Sequence, residues 1–343
     1  MPAPRSEPEL FAFIRRLIDI PSVTGGEGEL GFFLERELAH RDFPVTLQEV
    51  GRSRYNVYSA PQGLARVILC THIDTVPPFF GSSEDEAFIY GRGACDAKGV
   101  LAAMLAAAER LREEGVSGVG LLFVVGEEVD SAGAKAANRL AAGSSYVVVG
   151  EPTQSRLASG HKGTFKFRLR AEGRAAHSAY PHLGDSAIEH LLDMLERIRG
   201  AVWGRSDVLG EATVNIGTLA GGVAANVIAA EAEAQVFVRV VGKAEEVRER
   251  LEELLATDPS LSYERIAWND AVFCETLPGF EVAPVAFGTD IPALSAFGKP
   301  LLFGPGSIHD AHTSSEKIPK SEAAAAVEQY YRIVTALLES SER

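Results

Sequence analysis

Between residues 67 and 149 the chain repeats one pattern of polarity. A short, wholly apolar run is followed by a polar break and then by a segment with helical periodicity. The apolar runs are VILC (67–70), LLFVV (121–125) and YVVV (146–149). Runs this short and this uniformly apolar predict strands buried on both faces. Between them, VLAAMLAAAERLREEG (100–115) predicts a helix that is apolar nearly all round at its start and stops at Gly115. SAGAKAANRLAAG (131–143) predicts a second helix, also closed by a glycine. Upstream, residues 8–20 and 27–40 carry helical periodicity, the first ending at Pro21. Downstream, PLLFG near residue 302 and SEAAAAVEQYYRIVTALL (321–338) return to the same style, as a buried strand and a last helix.

From about residue 164 the pattern changes. TFKFRLRAE (164–172), TVNIGTL (213–219), AEAQVFVRVVG (232–242) and LSYERIAW (261–268) alternate in polarity, as half-exposed strands do. Two amphipathic helices lie among them, 186–200, with Ser186 and Glu189 as a capping box, and 244–256. The order β-α-β-β-α-β is the ferredoxin-like unit. The expected fold is therefore α/β, a largely parallel sheet covered by helices on both faces, built from residues 1–163 and 274–343. An α+β domain over residues 164–273 is inserted into it.

With 343 residues, 46% of them hydrophobic, there is enough chain for about two domains. The formal net charge of -14 argues against nucleic acid or an anionic membrane as partner. The longest apolar stretch, around 100–108, is too short to span a bilayer. Three cysteines, an odd and sparse set, predict reduced thiols and a cytoplasmic protein, and the N-terminal residues do not resemble a signal peptide.

The chemistry sits where the apolar runs stop. VILC leads into THIDTVP, LLFVV into GEEVD, YVVV into GEPT and PLLF into GPGSIHDAH, while GRGACDAKG places Asp96 before the buried helix. In open α/β sheets, sites collect at the carboxyl ends of strands. Those ends carry His72, Asp74, Glu127, Glu128, Glu151, His309 and His312, including three of the eight histidines. Any one of these has an ordinary structural use, as a helix cap or a buried His–Asp pair. Five such segments converging on one sheet edge point to a metal centre. Imidazole with carboxylate suits zinc, and also cobalt or manganese. Adjacent glutamates at a strand end diverge, so one would be a ligand and the other a general base. Two zinc ions would balance Asp96, Glu128, Glu151 and a hydroxide; one would leave excess buried negative charge.

The series THIDTVP, GRGACDAKG, VVGEEVD, VVGEPT, GRAAHSAYPHLGDSAI, GTLAGGVAANVI and GPGSIHDAHTSSE resembles the di-zinc deacylase and peptidase family. That family includes acetylornithine deacetylase, succinyl-diaminopimelate desuccinylase, acetyl-lysine deacetylase, aminoacylase and glutamate carboxypeptidase. The resemblance covers about residues 65–320. It implies that His72 and Glu151 hold one zinc, that Glu128 and His312 hold the other, and that Asp96 bridges them. It implies that Asp74 orients His72 and that Glu127 moves the proton of the bridging water to the leaving amine. It also implies a cis Asp96–Ala97 peptide. The inserted domain resembles a lid and dimerisation domain, with His177 at the oxyanion, Asn226 at the substrate and Arg239 at its carboxylate. Gly304, Gly306 and Ser307 would shape the loop that meets the substrate. His309 is expected as an outer partner behind the ligands.

The expected activity is removal of the acyl group from an N-acylated amino acid, of acetylornithine or acetyl-lysine type, by a homodimer. A dipeptidase or carboxypeptidase using the same site is the alternative. A nucleotide-binding protein is disfavoured, because no GxGxxG follows a strand and no GxxxxGK[ST] is present. No GxSxG supports a serine hydrolase.

Overall fold

The computed structural model describes residues 6–60, 65–141 and 143–340. The chain divides into two compact units. One takes in the residues up to Ser159, Cys274–Ala283 and the residues from Thr289 onward; the other is Gly160–Phe273 with Pro284–Gly288.

The first unit is built on a six-stranded sheet. Its spatial order is Thr46–Gly51, Arg54–Ser59, Val119–Val124, Val67–His72, Tyr146–Val149 and Lys299–Leu302. The last four are parallel to one another. Every residue of Val67–His72 and Val119–Val124 is buried. Successive side chains point to opposite faces, so both faces of the sheet are covered there. That is why these runs are apolar without alternation. The helix Gly99–Glu113 is buried along most of its length and packs on the last helix, Lys320–Ser340.

Two features differ from expectation. The edge hairpin Thr46–Ser59 is antiparallel and has a mixed polarity pattern that predicts no strand. The helix expected over 131–143 is only Ala132–Ala137. Its continuation is taken by tertiary bonds: Asn138 donates to the Ala293 carbonyl at 2.7 Å and accepts from the Ala296 N–H at 3.1 Å. Ala142, in the expected last turn, lies outside the described residues. Among the described residues no helix is long and apolar enough to cross a membrane.

The second unit is a four-stranded antiparallel sheet in the order Thr213–Gly221, Glu231–Val240, Gly163–Glu172, Leu261–Asn269. Phe165, Phe167, Leu169 and Ala171 alternate inward and pack with Leu191, Ile198, Val247 and Leu251 of the helices Ala187–Gly200 and Ala244–Leu255. The cap of the first helix is half of the expected box: Ser186 Oγ accepts from the Glu189 N–H at 3.4 Å.

His190, in that helix, faces carboxylates with both ring nitrogens. Nδ1 is 2.7 Å from Asp258 and Nε2 is 2.8 Å from Asp185. Both nitrogens must carry hydrogens to satisfy both, so the imidazolium is the fitting form. The bond to Asp185 leads in raising the His190 pKa above its ordinary value; slight burial opposes it, and Asp258 adds to it. A pKa raised on folding stabilises the fold fully below the unfolded value of about 6.5, and the gain disappears as pH rises through the folded value. Both tryptophans, Trp203 and Trp268, lie in this unit. Urea unfolding followed by their fluorescence should therefore show a midpoint that falls as pH is raised above about 6.5. In His190→Gln that pH dependence should flatten. An unchanged slope in the variant would assign the effect to another group.

Candidate metal centre

His72 ends one parallel strand, Glu127 and Glu128 follow its neighbour on one side, and Glu151 follows its neighbour on the other. His312 comes from the loop after the next strand, Lys299–Leu302. Four contiguous strand ends thus supply the cluster. Asp96 enters from the tight turn Ala94–Lys98 ahead of the buried helix, with a cis Asp96–Ala97 peptide, and is not that helix's N-cap.

Two groups of ligand atoms form, each drawn within 4.8 Å. One is His72, Asp96 and Glu151; the other is Asp96, Glu128 and His312. Asp96 belongs to both, with Oδ1 2.9 Å from His72 Nε2 and Oδ2 3.2 Å from His312 Nε2. His72 Nε2 is also 3.9 Å from Glu151 Oε2, and His312 Nε2 is 3.0 Å from Glu128 Oε1. His312 adopts a left-handed backbone, φ 62°, which is uncommon for a non-glycine residue and clusters at functional sites.

The donor set fits cations. His72 Nδ1 is 2.9 Å from the Asp74 carbonyl oxygen, which can only accept. Nδ1 therefore carries a hydrogen, and a neutral ring turns its Nε2 lone pair toward carboxylate oxygens. That is repulsive unless a proton or a metal ion stands between them. The charges respond accordingly. Burial works against a charged His72, but Asp74 and Asp96 outweigh it and raise its pKa well above the ordinary value. Asp96 and Glu128 push His312 up to about 10. Burial also works against the Asp96 carboxylate, yet His312 and His72 hold it below the usual carboxylate range. Burial drives Glu151 and Glu127 well upward, and neighbouring carboxylates add to both.

Glu127 differs from the rest. Among the described residues its carboxylate makes neither a hydrogen bond nor an ion pair, and it belongs to neither ligand group, although its backbone N–H is held by Asp74 at 3.0 Å. Asp74 meets His72 through its backbone carbonyl rather than its carboxylate. Its carboxylate is 3.6 Å from His72 Nδ1, too long for a hydrogen bond. It accepts instead from the N–H groups of Gly126, Glu127 and Glu128 and from Thr24 Oγ1. The Asp74 carbonyl orients His72, and the Asp74 carboxylate holds the turn that presents the two glutamates.

The loop after Leu302 lies along the segment that follows Glu151. Gly304 must be glycine, since a Cβ there would come within 2.4 Å of the Glu151 carbonyl oxygen. Gly306 donates to Glu322 and accepts from the Gln154 N–H, and Ser307 bridges to Thr153. His309 is exposed and lies outside both ligand groups.

In the second unit, His177 and Asn226 are brought together. Ser178 N–H donates to the Asn226 carbonyl at 3.0 Å, and His177 pairs with Val227. His177 Nδ1 accepts from the Ala179 N–H at 3.2 Å, so a neutral ring carries its hydrogen on Nε2. Arg239 is partly buried, stacks on Phe237 at 4.3 Å, and has no ion pair or hydrogen bond among the described residues.

Residues 68–336 match the profile of peptidase family M20/M25/M40. The chain belongs to that family. A Peptidase M20 domain-containing protein of Schizosaccharomyces pombe is 40% identical over 336 residues, 95% of this chain and 84% of that protein. A probable carboxypeptidase of Aspergillus terreus is 38% identical over 378 residues, 97% of this chain and 87% of that one. In fold, the chain resembles a tripeptidase of Staphylococcus aureus with a TM-score of 0.83 at 19% identity, covering 98% and 99% of the two chains. As a member of peptidase family M20/M25/M40, the protein is a metal-dependent amide hydrolase. Two residues at the centre, Arg92 and Glu316, lie within motifs of the sequence but carry no signal there of what they touch.

Proposed function

We propose that the protein is a two-zinc hydrolase that cleaves the amide linking an acyl group to an amino acid with a free α-carboxylate. The observation that carries this reading is Asp96, with one oxygen turned to each histidine, beside a glutamate whose carboxylate is unpartnered. His72, Asp96 and Glu151 would hold one ion, and Asp96, Glu128 and His312 the other. Ions bound there would polarise the scissile carbonyl and make a water acidic enough to deprotonate near neutral pH. Glu127 Oε would take a proton from the attacking water as the water oxygen bonds to the carbonyl carbon, and would deliver that proton to the leaving nitrogen, so that the C–N bond breaks to a neutral amine. Its desolvated carboxylate is a stronger base than a solvated one, which suits this task.

His177, with its hydrogen on Nε2, is suited to donate to the developing oxyanion, and Asn226 to hold the substrate amide. Arg239 takes the substrate carboxylate, since a partly buried guanidinium without a counter-charge is matched by a two-pronged anion. The name of the Aspergillus terreus relative, probable carboxypeptidase, supports a peptide with a free carboxyl end as substrate. An N-acetyl amino acid of acetylornithine or acetyl-lysine type presents the same bond with the smallest acyl group. A homodimer through the inserted unit rests on the family resemblance. A cytoplasmic setting rests on the three unpaired cysteines.

The test is amine release by the zinc-loaded protein from N-acetyl amino acids, N-succinyl-diaminopimelate and di- and tripeptides, each also with its carboxylate amidated. Free acids should be turned over and amides should not. Arg239→Met should raise KM for the acids by about 10- to 100-fold, the worth of a charged hydrogen-bonded pair, with kcat less affected. Equal turnover of amides and acids would remove Arg239 from this role.

A further inference from the structure

Glu316 is completely buried and lies four residues beyond His312, yet it touches the turn that carries Asp96 at several points. Its backbone carbonyl accepts from the Gly91 N–H at 3.0 Å. Its Oε2 accepts from Arg92 Nη1 at 2.6 Å. Its Oε1 accepts from the Asp96 N–H at 3.2 Å and the Cys95 N–H at 3.3 Å. Arg92 is itself 2% exposed, stacks over Phe80 at 5.0 Å and donates through Nε to the Pro78 carbonyl at 3.2 Å. The turn from Gly91 to Asp96 is thus wrapped around one carboxylate, and that carboxylate belongs to the segment that also presents His312.

A buried ion pair is a poor source of net stability, because desolvation of both charges offsets their attraction. It can still fix geometry, since both carboxylate oxygens are engaged, one by Arg92 and the other by two backbone N–H groups of the turn. We propose that Glu316, fixed by Arg92, is a positioning residue that sets the backbone of Asp96 and ties it to the His312 segment. The shared ligand and one terminal ligand then hold their spacing before any ion arrives. The inference rests on the two-metal reading above.

Glutamine at 316 is the informative change. Its amide keeps the shape but has one oxygen, so it serves either Arg92 or the two backbone N–H groups, not both. Zinc binding to the metal-free protein is measured by competition with a chromophoric chelator. Wild type should bind two ions; fewer than two would overturn the two-metal reading itself, whatever the variant does. In Glu316→Gln both affinities should fall, by roughly the 10- to 100-fold typical of partners that orient ligands, because Asp96 belongs to both groups. Arg41→Met is the comparison. It breaks the ion pairs of the buried Arg41 with the partly buried Glu37 and Glu109 of the same unit, and touches none of the turn. It should lower the melting temperature and leave zinc affinity at the wild-type value. Wild-type affinity in Glu316→Gln, a fall at one position only, or an equal fall in Arg41→Met would each overturn the inference. If Glu316→Gln does not fold, Arg92→Lys keeps the carboxylate and its backbone donors while removing the fork that fixes it. That variant should also lower both affinities, and unchanged affinities would count against the proposal.

Discussion

Glu127→Gln should retain two zinc ions and lose about 10²- to 10⁴-fold in kcat, the range that a positioned general base contributes. The substitution conserves shape and removes only the ability to accept a proton. It should not disturb the fold, because among the described residues the Glu127 side chain makes no hydrogen bond and the residue is held through its backbone N–H by Asp74. It should not strip the metals, because Glu127 belongs to neither ligand group. KM should change little, since the loss is confined to the transition state. Glu128→Gln is the instructive neighbour. One residue away, it should weaken the ion position shared with Asp96 and His312, and metal content should fall along with activity. Measuring kcat, KM and bound zinc on the same samples separates the two roles. A Glu127→Gln enzyme at near-normal rate would remove it as the base. One that has lost an ion would make it a ligand.

The candidate ligands are legible in the sequence for a physical reason. A strand buried on both faces must be apolar throughout, so the first polar residue after it marks the sheet edge. Four such edges place His72, Glu128, Glu151 and His312 without any knowledge of the strand order. The alternating strands and two amphipathic helices of the inserted unit are legible for a related reason, since its sheet has one covered face. Asp74 shows where such reading stops. The H-x-D spacing suggests a carboxylate behind an imidazole, but the carboxylate's partners are backbone N–H groups about fifty residues away, and backbone donors leave no mark on side-chain identity. Glu316 is the same case across 220 residues. The short helix Ala132–Ala137 stops because Asn138 finds partners at Ala293 and Ala296, which local propensity cannot register. His309 and His312 stand three apart in one loop and are both exposed; the left-handed backbone at His312 and its approach to Glu128 and Asp96 mark it as the candidate ligand.

Asp96→Ala should abolish activity and weaken both ion positions together, by more than the roughly 10- to 100-fold expected of an outer partner. Asp96 is the one residue common to the two ligand groups, and its two oxygens are divided between His72 and His312. Removing it takes one ligand from each position and one negative charge from both. Glu151→Gln is the contrast: it touches only the group with His72, so it should weaken one position and leave the Glu128–His312 pair able to hold its ion. A stepwise zinc titration distinguishes the two variants, with both steps shifted in the first and one step shifted in the second. If Asp96→Ala still holds one ion at wild-type affinity, then Asp96 is a ligand to a single metal. The two groups would then be independent sites, and the charge balance that favours a bridged pair would have to be met by another carboxylate, of which Glu127 is the one adjacent to the candidate ligand Glu128.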